Sequence, residues 1–174
     1  GRSGPGGRWG AVHAAVGAVS TDSSPPVPIA RLLAMAYRML MDDLHQRLRD
    51  EGWDDVRPAF GFVLLAARSE PTTAKDLAAL MGTSKQAAAK LLDTMEAAGY
   101  VHRGVSTVDG RRRDVHLSER GRDLLTAVED IYADLEARWA SSIGERAVDR
   151  LRSDLTRVVA DRHQGTLPAV RPPW

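Results

Sequence analysis

Two helix-capping signatures ten residues apart, separated by one glycine, constrain this chain more than any other feature. Thr73-Ala-Lys-Asp76 has the spacing in which a hydroxyl caps a helix start and a side chain three residues on answers it, with Asp in place of Glu. Leu77, Leu80 and Met81 form a short apolar edge, and Gly82 stands where a positive φ is needed. Thr83-Ser-Lys-Gln86 repeats the signature and opens a second helix, which Gly99 ends. Two short helices joined through a glycine turn form a helix-turn-helix. Strand patterns follow at Tyr100–Val105 and Asp114–Leu117, joined by a loop with the hairpin signal Asp109–Gly110 and three arginines. Helix, strand, basic hairpin, strand is the order of a winged helix-turn-helix, a module that contacts nucleic acid.

The rest of the chain builds around this stretch. Residues 1–28 are rich in Gly, Ser and Pro and end in SSPPVP, which reads as an arm with at most one short helix near Val12–Val19. Arg2 and Arg8 before AVHAAVGAV loosely resemble a secretory signal, but His13 and Gly17 interrupt the apolar run, and it reads as tail. Ile29, Leu33, Ala36, Leu40, Leu44 and Leu48 step by three and four along one face of a long helix, with Gly52 as terminator. Phe60, Val63, Leu64 and Ala67 mark a second helix over Pro58–Ser69, ended by Pro71. Ser118 caps a long helix carrying Leu124, Val128, Ile131, Leu135 and Trp139. Gly144 breaks it, and a last helix carries Val148, Leu151, Leu155 and Val158 or Val159. The expected class is mostly α (α+β). An arm (1–28) precedes a domain (29–162) in which a winged helix-turn-helix (57–118) lies between flanking helices (29–51 and 119–162), and a tail (163–174) follows.

Composition sets limits on function. A hydrophobic content of 43% suffices for one packed core, and no apolar run approaches the length of a membrane span, so no membrane partner is expected. The absence of cysteine removes disulfides, thiolate sensing and thiolate zinc sites, and fits a cytoplasmic protein. Net charge is only +1, so any basic surface must be local. Between Thr83 and Arg113 six cations (Lys85, Lys90, Arg103, Arg111, Arg112, Arg113) stand against three carboxylates (Asp93, Glu96, Asp109).

The helix after Gly82 turns Ala88, Leu91, Leu92 and Met95 to one side and Gln86, Ala89, Lys90 and Asp93 to the other. That outer face differs from ordinary solvent dressing. Ala89 is short enough for close approach, and Lys85 and Gln86 stand near the N-terminus, where recognition helices reach base edges. Gln pairs with adenine, Lys with guanine O6 or N7, and an alanine methyl meets a thymine methyl. Thr83 and Ser84, with the helix N-terminus, offer phosphate-binding groups. Arg111, Arg112 and Arg113 repel one another, and a phosphate backbone or narrow minor groove relieves that repulsion. Asp109 reads as a brace holding one arginine extended through a charge-assisted bond.

TAKDLAALMGTSKQAAAKLLDTMEAAGYVHR and DGRRRDVHLSERGRDLL resemble the MarR (multiple antibiotic resistance regulator) family. Asp109, Arg111, Leu117, Ser118 and Gly121 fit its D-x-R…L-[ST]-x-x-G pattern, and the resemblance runs from about Ile29 to Arg162. It implies Thr83–Leu92 in the major groove and Arg111 in the adjacent minor groove. It implies a homodimer whose first and last helices interdigitate, reading a pseudo-palindrome in double-stranded operator DNA. It implies a ligand-responsive repressor needing no cofactor, with a phenolic or other aromatic effector. Met35, Met39, Met41, Trp53, Arg57, Phe60 and Trp139 are the effector-pocket candidates, although Met and aromatic residues at helical spacing are ordinarily core. Arg68 is a further candidate for an anionic effector.

Two other readings stay open at this stage: a winged helix used for protein contacts alone, and a zinc-responsive regulator of the same fold. For zinc, His45 with Asp42 and Asp43 is the place to look. No histidine pair has a metal-ligand spacing along the chain, so no metal residues are assigned. His102 and His116 fall on strands that pair, and the default for both is an exposed wing histidine. No P-loop, GxGxxG or G-x-S-x-G is present, and the chain reads as a non-enzyme.

Overall fold

The computed structural model describes residues 25–105, 110, 111 and 113–165. Asp109, Arg112, most of the N-terminal arm and most of the C-terminal tail lie outside the described residues, so the brace assigned to Asp109 and the contact assigned to Arg112 do too. The described residues form six helices and one two-stranded antiparallel sheet: α1 (Ile29–Asp50), α2 (Phe60–Ala66), α3 (Ala74–Met81), α4 (Lys85–Ala97), β1 (Val101–Val105), β2 (Arg113–Leu117), α5 (Glu119–Ile143) and α6 (Glu145–Arg162). The class is the expected one, mostly helical with a winged hairpin.

Proline and glycine set the ends of these elements. Pro28 stands just outside α1, and its carbonyl accepts from the N–H groups of Arg31 and Leu32. Gly52, at φ 87°, turns the chain out of α1, and the Trp53 N–H closes the helix by donating to the Leu48 carbonyl. α2 is shorter than the expected Pro58–Ser69 span, because Pro58 and Ala59 form a turn before it and it closes at Ala67. Thr73 caps α3 as expected, accepting from the Asp76 N–H at 3.1 Å while its hydroxyl donates to the Asp76 carboxylate at 2.6 Å.

The second cap differs by one residue. Gly82 is left-handed, at φ 62°, and the Thr83 N–H donates back to the Ala78 carbonyl, so Thr83 belongs to the turn that ends α3. Ser84 is the residue that caps α4, accepting from the Ala87 N–H at 3.1 Å. Gln86 therefore falls at the second helical position, with an exposed side chain, and not at the capping-box position that would fold it back onto the cap.

The core sits where the predicted apolar faces meet. Leu44 and Leu48 of α1, Phe60, Val63 and Leu64 of α2, Leu77 of α3, Ala88, Leu92 and Met95 of α4, and Leu124, Ile131 and Leu135 of α5 are all buried with Tyr100, Val115 and Leu117. The first half of the α1 stripe departs from this: Ile29 is 72% exposed and Leu33 41%. Among the described residues nothing covers them, and the outer residues of α6, Leu151, Val158 and Val159, are exposed as well.

The two strands pair from Val101↔Leu117 to Val105↔Arg113. Thr72 adds a bridge to Val115, with bonds of 3.2 and 2.7 Å in the two directions. That bridge ties the entrance of α3 to the hairpin, and the sequence reading, which took Pro71 only as a helix end, did not anticipate it.

Candidate nucleic-acid interface

Core packing of α4 decides which of its side chains face out. With Ala88, Leu92 and Met95 buried, Lys85, Gln86 and Lys90 are exposed on the opposite side and Ala89 is half-buried between them. Thr83 and Ser84 are exposed at the helix N-terminus. The expected recognition face is thus one continuous surface, with the positive end of the helix dipole at its N-terminal edge.

A groove of about 560 Å³ runs between this helix, the start of α3 and the hairpin. Thr73, Lys75, Lys85, Arg103, Arg111 and Arg113 are among the residues lining it. It gathers most of the expected cations into one place beside the capped N-terminus of α3, where Asp76 also lines it. Lys75 was not among the sequence candidates. A signal was available: a cation in the first turn of a helix opposes the dipole, and the anion of a ligand offsets that cost.

Arg103 differs from its neighbours in the groove. Its guanidinium donates to Glu96 through Nε at 2.9 Å and to Asp93 through Nη2 at 2.6 Å, and its backbone N–H donates to Glu96 at 3.0 Å. Glu96 in turn is held ionised, with its carboxyl below the usual range, first through the hydrogen bond from the Arg103 side chain. Two carboxylates of α4 therefore hold β1 against that helix, and much of the Arg103 charge is spent within the chain.

A second cluster anchors the base of the hairpin. Tyr100 is fully buried, and its hydroxyl donates to Asp55 at 2.5 Å and accepts from Arg120 at 3.0 Å. The Arg120 guanidinium lies 4.7 Å from the Tyr100 ring centroid and 5.3 Å from that of Trp53. Burial, with help from Asp55, pushes the Tyr100 hydroxyl up to about 12, so it stays a donor. The cluster joins the α1–α2 connector to the start of α5.

The effector candidates are not brought together. Met35 and Met39 are 56% and 61% exposed, on the uncovered face of α1. Phe60 is wholly buried, edge-on to Tyr100 at 5.7 Å, and Trp53 packs on the same ring. Of the candidates, Arg57 and Met41 line a cavity of about 410 Å³ between α1, α2 and α5, where their neighbours include His45, Phe62, Leu125 and Tyr132. The helical period turns Met41 inward where it turns Met39 out. Arg68 is committed to Glu129 at 2.8 Å. His45 faces this cavity, and burial first, then Arg49, holds its pKa below 6.5. Among the described residues no three His, Asp or Glu side chains converge as a metal site, at His45 or elsewhere, and no helix is long and apolar enough to cross a membrane.

A model of the MarR family matches residues 57–112, the lobe from the α1–α2 connector to the wing. Among solved structures, wild-type MarR (apo form) from E. coli has a TM-score of 0.64 at 22% identity, covering 78% of this chain and 99% of that one. A mutant of S. aureus MepR bound to an oligodeoxyribonucleotide has a TM-score of 0.54 at 21% identity, covering 78% and 99%. S. aureus MepR bound to ethidium bromide has a TM-score of 0.54 at 22% identity, covering 78% and 96%. No curated protein matches the chain. Residues 57–112 thus carry the MarR-family pattern, and the fold is the winged helix-turn-helix of MarR-family regulators.

Proposed function

We propose that this chain, with its MarR-family DNA-binding lobe, is a sequence-specific transcriptional regulator that acts as a homodimeric, ligand-responsive repressor in the cytoplasm. The observation that carries the reading is the groove in which Lys75, Lys85, Arg111 and Arg113 converge beside the exposed Gln86 and Lys90 of α4. A fold with a net charge of +1 has no need to concentrate its cations along one helix and one hairpin unless a polyanion lies there. In this reading Thr83, Ser84, Lys75 and Arg113 take phosphates. Gln86, Lys85, Ala89 and Lys90 read the major groove, Arg111 enters the minor groove, and Arg103 positions β1. A MepR structure holding an oligodeoxyribonucleotide on the same fold supports it. A regulator is favoured over a protein-interaction module because an interface for protein would bury apolar residues in place of Lys and Gln.

Ligand response has its own support. The cavity between α1, α2 and α5 is of the size that holds a small molecule and is mainly apolar, and the same fold in MepR has been captured with ethidium bromide. It lies between the flanking helices and the lobe carrying α4, so an occupant with different affinities for two arrangements shifts the spacing of two recognition helices.

The test is binding to the DNA upstream of the protein's own coding region at two salt concentrations, by anisotropy. The affinity falls steeply with salt, and Lys75→Ala lowers the slope by about one. Gln86→Ala narrows the gap between operator and scrambled DNA. A flat salt response, or equal affinity for operator and scrambled sequence, sinks the reading.

A further inference from the structure

The hairpin carries a pair of side chains that DNA recognition does not use. His102 of β1 and His116 of β2 are direct cross-strand partners, so both imidazoles leave the sheet on the same face. Val101, Val115 and Leu117 are buried on the other side, which turns the histidine face away from the core. The two rings lie with centroids 5.2 Å apart and planes within 10° of parallel, His102 exposed and His116 half-buried. Two imidazole nitrogens at ~2.0–2.1 Å from a tetrahedral ion place their ring centroids roughly 5 Å apart. The separation set by the backbone register is therefore close to the one a metal would impose, and because the two planes are nearly parallel, both rings must turn out of the stack for their in-plane nitrogen lone pairs to meet at one ion.

We infer that His102 and His116 form a two-imidazole site for a borderline divalent transition-metal ion such as Zn²⁺, closing across the base of the wing. Imidazole suits zinc, nickel and copper, and excludes the hard cations that take oxygen ligands. The nearby carboxylate of Glu96 is engaged by Arg103, through both its side chain and its backbone N–H. The protein thus supplies two ligands, and water completes the coordination. An ion held there fastens β1 to β2 beneath the arginine loop, which makes the wing stiffer without touching the groove. The two residues are fourteen apart in the chain, the strand patterns lead one to expect them to approach each other, and the register makes them direct partners.

Titration calorimetry with Zn²⁺ on the full chain, free of DNA, tests the site. One ion binds per chain. His102→Ala and His116→Ala each weaken binding by at least roughly tenfold, whereas His45→Ala leaves it unchanged. Zn²⁺ also raises Tm of the parent chain by linkage and does not raise that of either wing variant. Absence of binding, or binding that survives either wing substitution, overturns the proposal. Both side chains reach the surface, so circular dichroism identifies any variant whose loss reflects misfolding. Because no DNA is present, failure here leaves the operator reading standing.

Discussion

Gly121 shows how much one residue decides. A Cβ there would lie 2.0 Å from the Tyr100 carbonyl oxygen, and that oxygen also accepts from the Ser118 N–H at 3.0 Å. The neighbouring atoms are backbone, so no side-chain rotation relieves the clash. Gly121→Ala must push α5 away from β1, and we expect a loss of about 1–3 kcal/mol or more, read as a lower urea midpoint. A midpoint within error of the parent would show that the hairpin base yields freely. His45 makes the pH prediction. Burial holds its folded pKa below the 6.5 of the free side chain, with Arg49 lowering it further and Asp42 opposing. Between the two values the unfolded state binds more protons, so this contribution is complete above pH 6.5 and is lost as pH falls through 6.5 toward the folded value. Denaturation at pH 7.5 and 5.5, at one protein concentration, should show a larger loss on acidification for the parent than for His45→Gln. Equal losses would remove His45 as the cause.

At the scale of elements, caps tie the module together. Ser118 caps α5 by accepting from the Gly121 N–H at 3.0 Å, and its hydroxyl also donates to the Gly99 carbonyl, so one side chain joins α5 to the end of α4. Ser84 caps α4 alone. We expect Ser118→Ala to cost about 1–2 kcal/mol, toward the upper end of cap losses, and Ser84→Ala about 1 kcal/mol. Thermal denaturation of the pair checks the order, and the reverse order would mean that the Gly99 bond adds nothing. These elements were legible in the sequence because caps, glycines and three-four periodicity are local. The core faces of α2, α4 and α5 followed for the same reason. What stayed hidden depends on contacts far along the chain: the Thr72 bridge to Val115 and the engagement of Arg103 by Asp93 and Glu96. The effector candidates Met35, Met39 and Phe60 failed to converge because residue type at helical spacing does not say which face a neighbouring helix will cover.

The molecule as a whole carries an unbalanced surface. Isolated exposed apolar residues are ordinary, but here they concentrate on the first half of α1 (Ile29, Leu32, Leu33, Met35, Met39) and on the outer side of α6 (Leu151, Val158, Val159). Both helices belong to the flanking part of the fold, away from the groove, so covering them with a second copy leaves both recognition helices available. In the proposed dimer, linking two weakly binding lobes multiplies affinity by on the order of 10² or more. Leu32→Glu combined with Met39→Glu introduces charge at two positions that are 50% and 61% exposed in the single chain, so the monomer fold should survive. We expect sedimentation to report a dimer for the parent and a monomer for the double variant, with unchanged helical circular dichroism. Operator affinity should drop on the order of a hundredfold, while binding to a single half-site changes little. A parent chain that sediments as a monomer, or a monomeric variant that keeps full operator affinity, would break the connection between the uncovered helices and DNA recognition.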